Sequence, residues 1–561
     1  MEDLVAGARP LVDRYWEDLL RLDPLLATSI GDDRFDDHLP DPSSAGLEAA
    51  ARVHQGLLTD LAAIDRSSVD PDLQATLDIA ESTARDELAA VSLRLDRIHH
   101  VDHLLGPISL VGYLAAIVRA DDDERVARYC ARLRAFGPYL DTVIDEMASG
   151  REAGVVPPRP VVERVIAQTR RLLATPPDAT PFLTPVEAND EKGRAAVLSV
   201  LRDDALPAFA RYLEAVERDR ATARDTMGLV ALPHGARMYA ACIRRWTSRD
   251  FAPEELHQRG REAMSWIQGD RAAILERLGF GRLDDALAAY DRAARRRLTD
   301  RRAVLRLVRS YVERGWEGAR PYFRRMPTAN CDVRLVEEFR EPDQPGAFYQ
   351  PPSEGREGIY FVNAAFYLDT NSRLLHRLAT TSYHEANPGH HFQTSTEQDQ
   401  RDAPPLRRFA GSFRGDAFSE GWGLYSERLA DEIGLYEDDY ERLGMLDNEA
   451  LRAVRLVVDT GLHAFGWDRE AGIAELVRAG LPRLEAEIEV DRYAVDPAQA
   501  LCYKVGELGI RRLRGRFAPD GGREPLASFH DRLLSLGALP LATIERELER
   551  LYGATATGVV Q

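Results

Sequence analysis

Apolar residues recur at three- and four-residue intervals through most of the chain, a spacing that predicts a mainly α protein. Leu47 to Leu61 and Leu73 to Leu95 show it clearly, with Pro40, Pro42 and Pro71 as punctuation between them. Thr175 to Gly193 breaks the pattern with four prolines among polar residues, as a hinge or a connection between lobes would. The expected organisation is therefore an N-terminal helical lobe, residues 1–193, and a catalytic helical lobe, 194–561, or one continuous domain. From about residue 194 the helical spacing resumes. Ser248 to Leu256 sets out cap, proline and first-turn acids in the order of a helix start. The β-like exception is Gly358 to Asn363. No internal period of 20–50 residues points to a solenoid. The small, polar tail from Gly553 to Gln561 is expected to be disordered.

Composition narrows the class. A chain of 561 residues, 44 % hydrophobic and 29 % charged, can bury one large core or several smaller ones. A net charge of −19 argues against nucleic acid and anionic membrane as partners. Cys130, Cys242, Cys331 and Cys502 are scattered without a paired spacing, so they read as small buried apolar residues. The first twenty residues mix acids with helical apolar spacing and lack the basic start of a signal peptide. With no apolar run near ~20 residues, the expectation is a cytoplasmic protein, monomer or homodimer.

The chemistry concentrates at Tyr383 to Gln393, where His384, Glu385, His390 and His391 fall within eight residues. Two histidines and a glutamate are the raw material of a zinc hydrolase. On an unbroken helix, however, His390 would lie about 240° round from His384, and His391 about 10 Å along the axis. Neither could share an ion with His384. Pro388 and Gly389 call for a bulge or break, and absorbing two residues makes His390 the equivalent of i+4. His390 is thus the preferred second ligand, and His391 takes a supporting or substrate-facing place.

A third ligand is expected from Ser419 to Glu427, whose Phe418, Trp422, Tyr425 and Leu429 recur with helical spacing. Glu420, set among aromatic residues and glycine, suits that part; Glu427 lies on the same face and suits a solvated position better. His99, His100 and His103 lack acidic spacing and read as capping or packing residues.

The His384 to Gln393 and Glu420 to Glu427 segments resemble the signatures of the bacterial domain of unknown function 885 family. Further matches to that family are Asp23 to Thr28, Leu232 to Gly235, Glu255 to His257, Tyr349 to Pro352, Arg455 to His463 and Pro497 to Gly506. The family is similar to the mostly helical zinc peptidases that include carboxypeptidase Taq and angiotensin-converting enzyme. That resemblance implies a large two-lobed helical fold with a deep central cleft and zinc on its floor; the β-like stretch from Gly358 to Asn363 adds a small β element near the zinc helix.

Hydrolysis also needs donors for a developing oxyanion and anchors for the substrate. His463 and Tyr503 are candidates for the first task, with Asp459 placed to support His463. Lys504, one of two lysines against 71 arginines, and Arg492 are candidates to hold a substrate carboxylate, with Arg455 as an alternative. Tyr360 lies on the β-like stretch, where an edge strand would offer its backbone to an extended peptide or would only pack the zinc helix. The expected function is a Zn²⁺-dependent metallopeptidase acting on short peptides or peptide-like amides. His384, His390 and Glu420 would be its ligands, and Glu385 would move the proton. Two alternatives stay open: a dedicated biosynthetic or detoxifying amide hydrolase for one small molecule, and a non-catalytic helical scaffold.

Overall fold

Helix after helix begins where a short acidic side chain can take an unpaired backbone N–H. Asp70 accepts from Leu73 N and stands before Pro71, so a helix runs over Pro71–Leu93, ending where Arg94 turns left-handed. Asp122, Asp190 and Asp300 start other helices in the same way. In the computed structural model, residues 2–557 are described apart from 295–297, 337, 339–340, 342–344, 353–356, 370–373 and 414–415. The fold is mainly α with one small three-stranded sheet. None of its described helices is long and apolar enough to cross a membrane.

Packing divides the chain into two units. The first holds Met1–Cys242, Gly461–Ile473 and Glu487–Ala498. The expected division at 193 falls inside it, because the proline-rich segment is a packed element. Its prolines shape two short 3₁₀ turns that deliver Phe182 onto the rings of Phe136 and Phe209, with centroids 5.8 and 6.3 Å away. The Tyr129 hydroxyl donates to the Phe182 carbonyl at 2.9 Å. His99 pairs with Asp102 at 2.8 Å, and the His99 to His103 residues form no metal-ligand group among the described residues.

The second unit holds Ile243–Thr460, Ala474–Ala486 and Gln499–Gln561. One of its helices starts at Pro253 with Glu254 and Glu255 in the first turn. Ser248 is not its cap, since its hydroxyl accepts from Leu541 N instead. The last helix runs over Leu541–Thr557, so the expected tail is helical up to that point, and residues 558–561 lie outside the described ones.

Three strands, β1 (Cys331–Leu335), β2 (Ala347–Gln350) and β3 (Gly358–Val362), form the sheet in the order β1–β3–β2. The edge-strand expectation for Gly358 to Asn363 fails, because β3 is central, parallel to β1 and antiparallel to β2, and its backbone is used on both sides. Tyr360 is fully buried on β3 and its hydroxyl lies 3.4 Å from Ser382 Oγ. It therefore supports the first motif helix (Leu378–Glu385) from below and does not line a substrate site. Tyr360 and Val362 join Val304, Val308 and Tyr311 of the helix Arg301–Ala319, and Leu378, Ala379 and Tyr383 of the motif helix, in one core. Burying each large apolar side chain of that set contributes about 1.5–3 kcal/mol, which fixes the motif helix to the sheet.

Candidate metal centre

The motif helix ends at Glu385, and a second helix restarts at His390 and runs to Gln398. The predicted interruption is a complete break across Ala386, Asn387, Pro388 and Gly389. Trp422 Nε1 donates to the Pro388 carbonyl at 2.9 Å, taking up an acceptor at the break, and at 3.1 Å to the Gly389 carbonyl, which also accepts from Gln393 N. The Trp422 ring also packs edge-on against Phe323, which meets Phe392 of the restarted helix in the same way. The helix Asp416–Glu432 thus holds the break while presenting Glu420 to it.

His384, His390 and Glu420 come together there, with ligand atoms all within 4.8 Å of one another. Glu420 Oε2 lies 3.4 Å from His384 Nε2 and 3.5 Å from His390 Nε2, too long for well-formed hydrogen bonds, and that oxygen is sealed from solvent without a hydrogen-bond partner. Donors bound to one tetrahedral zinc at ~2.0–2.1 Å stand about 3.4 Å apart. The observed separations match that edge, and the N, N, O donor set is the one zinc takes when a position is kept open for chemistry, so the residues fit the ion.

Electrostatics points the same way. Burial pulls the His384 imidazole down, but Glu420 and Glu427 outweigh it and hold it at about 9. Burial pushes the Glu420 carboxyl up, yet His384 and His390 bring it well below the usual carboxylate range. The site is built around positive charge.

Glu427 corrects the solvated-face expectation. It is fully buried, accepting from His384 Nδ1 at 2.8 Å through one oxygen and from Thr380 Oγ1 at 2.6 Å through the other. This fixes the His384 tautomer and leaves Nε2, 3.4 Å from Glu420 Oε2, as the nitrogen that could take a metal ion. Gly423 makes room for the ring, since a Cβ there would meet His384 atoms at 2.6–2.9 Å. The sequence carried a signal for Glu427 in its seven-residue spacing from Glu420, two helical turns on one face, but nothing local showed that the face is buried.

His391 lies outside the three-residue cluster, in the supporting place that the sequence allowed it. Fully buried, it donates from Nε2 to the Ala329 carbonyl at 3.0 Å and accepts from the Tyr349 hydroxyl at 2.8 Å, and burial lowers it to about 4. Glu385 closes the motif helix half-buried, near enough for its charge to act on His384. Tyr503, on the helix Cys502–Phe517, stacks over His384 with ring centroids 6.5 Å apart. That helix crosses the Glu420 helix at Gly421 and Gly506, where neither position has space for a side chain.

The other expected site residues are engaged elsewhere. Lys504 is fully buried, 2.8 Å from Glu449 and 2.9 Å from Glu507, so it cannot anchor a substrate carboxylate. His463 belongs to the first unit. It accepts from Leu229 N at 3.1 Å, donates to the Tyr493 carbonyl at 2.9 Å and stacks on Tyr239, which leaves no nitrogen for an oxyanion. Arg492 also belongs to the first unit, where it pairs with Glu489 at 3.5 Å.

Fold and site together define a mainly helical protein with a two-histidine, one-carboxylate centre on a broken helix. The chain belongs to the family described as "Bacterial protein of unknown function (DUF885)", which matches residues 24–548. Two solved structures share the fold. One, from Colwellia psychrerythraea and titled as a candidate lipoprotein, has 25 % identity and a TM-score of 0.87 over 97 % of this chain and 98 % of its own. The other, from Shewanella oneidensis and titled as a candidate lipoprotein of unknown function, has 18 % identity and a TM-score of 0.74 over 96 % and 98 %. Comparison with curated proteins gives no match.

Proposed function

We propose that the chain is a zinc-dependent hydrolase of short peptides or peptide-like amides. The observation that carries this reading is the buried, unpaired Glu420 oxygen at 3.4 and 3.5 Å from the two histidine Nε2 atoms. A zinc ion held by His384, His390 and Glu420 would polarise a substrate carbonyl and make water nucleophilic at neutral pH. Glu385 takes the proton from the attacking water and passes it to the leaving amine nitrogen. Tyr503 offers its hydroxyl to the developing oxyanion. Glu427 and Thr380 hold His384 in one tautomer throughout. The resemblance to the helical zinc peptidases supports the same chemistry.

Metal analysis of purified protein, paired with product mapping on an unblocked peptide library, tests the reading. About one zinc per chain is expected, with cleavage lost on chelation and restored by zinc. A chain that takes up no zinc after reconstitution overturns it. A cytoplasmic location and a monomer or homodimer belong to the same proposal, and cell fractionation separates that location from the lipoprotein designation of the two solved relatives.

A further inference from the structure

The second unit carries a band of buried charge beside the metal cluster, and its cations have clear acidic partners. Glu449 accepts from Lys504 at 2.8 Å and from Arg428 at 2.6 Å; Glu507 pairs with Lys504 at 2.9 Å and with Arg511 at 3.2 Å. Arg452, half-buried on the helix Asp439–His463, differs. Among the described residues no carboxylate lies within ion-pair distance of it. Nη1 makes one long contact, 3.4 Å to the Asn448 carbonyl, and Nε is sealed from solvent without a partner. Glu427 feels its charge, but both Glu427 oxygens are already taken by His384 and Thr380. A half-buried guanidinium without an anion is costly to keep.

Its position suggests what it is kept for. The guanidinium sits 5.6 Å from the centroid of the Tyr503 ring, and that ring stacks 6.5 Å from the ring of His384. Arg455 lies over the same ring at 4.7 Å. Tyr503 therefore neighbours both the candidate metal ligand and the unpaired cation. Resting on the hydrolase reading, we propose that Arg452 determines specificity by receiving the free C-terminal carboxylate of a short peptide whose scissile carbonyl lies at His384, His390 and Glu420. The planar fork suits a carboxylate, which it can bind through two parallel N–H groups. Each residue of an extended chain spans at most about 3.3–3.6 Å, so one to three residues cover the distance over the tyrosine ring. The product is then a C-terminal fragment of one to three residues, and the anchor is Arg452 where Lys504 was expected.

The test uses N-acetyl-tetraalanine as its free acid and as its C-terminal amide. Binding to zinc-loaded Glu385→Gln protein is measured by calorimetry. The acid is expected to bind at least about 10-fold tighter than the amide, the effect of one charge-assisted pair. Adding Arg452→Met should bring the two within about 2-fold, with metal content unchanged, and Arg452→Lys should fall between; the lysine variant carries the test should the methionine variant not fold. Equal or undetectable binding of the two peptides, or an acid preference that survives Arg452→Met, overturns the proposal. Turnover by the otherwise unmodified enzyme separates the two readings. Equal cleavage of acid and amide leaves a hydrolase without this anchor, whereas an Arg452-dependent acid preference without any cleavage leaves the anchor and removes the hydrolase.

Discussion

His384 in the second unit and His463 in the first are both sealed from solvent, at 3 % and 0 % exposure, yet they are surrounded by different chemistry. Burial acts on both imidazoles in the same direction. Around His384 two carboxylates outweigh it and hold the ring at about 9. Around His463 the neighbours are a backbone N–H and a backbone carbonyl, and burial lowers the ring to about 3. The first environment favours positive charge at the ring, and the second holds a neutral ring as a structural bridge. A buried histidine is thus a site candidate only when its partners are carboxylates that leave one nitrogen uncommitted.

The largest effect should come from deleting one side of this comparison. His390→Ala or Glu420→Ala is expected to reduce bound zinc from about one per chain to near none and to abolish hydrolysis. His463→Ala and His391→Ala should keep the metal. Elemental analysis of the four proteins decides it, and metal loss in His391→Ala with retention in His390→Ala would reverse the ligand assignment.

Glu385→Gln comes next. The amide keeps the shape but cannot take a proton, so zinc should stay while turnover falls roughly 100- to 10,000-fold. Activity within a few-fold of the unmodified chain would remove Glu385 from proton transfer.

Glu427→Gln probes the carboxylate behind the ligand. It should weaken zinc about 10- to 100-fold, read by competition with a chelator, because the amide oxygen can still accept from His384 Nδ1 but no longer carries the charge that makes the ring a stronger ligand. An unchanged affinity would mean that Glu427 only fills space.

The smallest effect concerns His463. Its folded-state value lies below the ordinary 6.5, so below pH 6.5 the unfolded chain binds a proton that the folded chain refuses, and stability drops as pH falls from 6.5 toward about 3. One such group contributes about 1.4 kcal/mol per pH unit. His463→Gln can keep both backbone hydrogen bonds without titrating, so the slope of unfolding free energy between pH 6 and 5 should shrink by about that amount. Identical slopes would show that the folded protein accepts the proton.

Much of the site was legible because it is local. The residue types at His384, Glu385 and His390, and the helix-breaking Pro388 and Gly389, are properties of a short stretch. The angular arithmetic of a helix favours His390 over His391 once a two-residue correction is made, and the fold places His390 in the three-residue cluster. Glu420 was readable from its aromatic setting on a helical repeat. The mainly α fold followed from apolar spacing and Asp caps such as Asp70 and Asp122, which act within one turn.

Partners distant in sequence lay beyond that reach. Lys504 finds Glu449 fifty-five residues away, His463 finds Leu229 two hundred and thirty-four residues away, and His384 finds Glu427 across forty-three. A cation's role depends on whether such a partner arrives, which is why Lys504 is spent on an ion pair while Arg452, unremarkable in the sequence, is left without one. Strand order is equally nonlocal. Gly358 to Val362 declares a strand by composition, but only the arrival of β1 on one side and β2 on the other makes it central and closes its backbone to a peptide. The sequence by itself determined which residues can do chemistry and which helices carry them, since propensity and spacing act over a few residues. The tertiary structure alone decided which of those residues are paired, buried or left available, since that depends on groups brought together by packing.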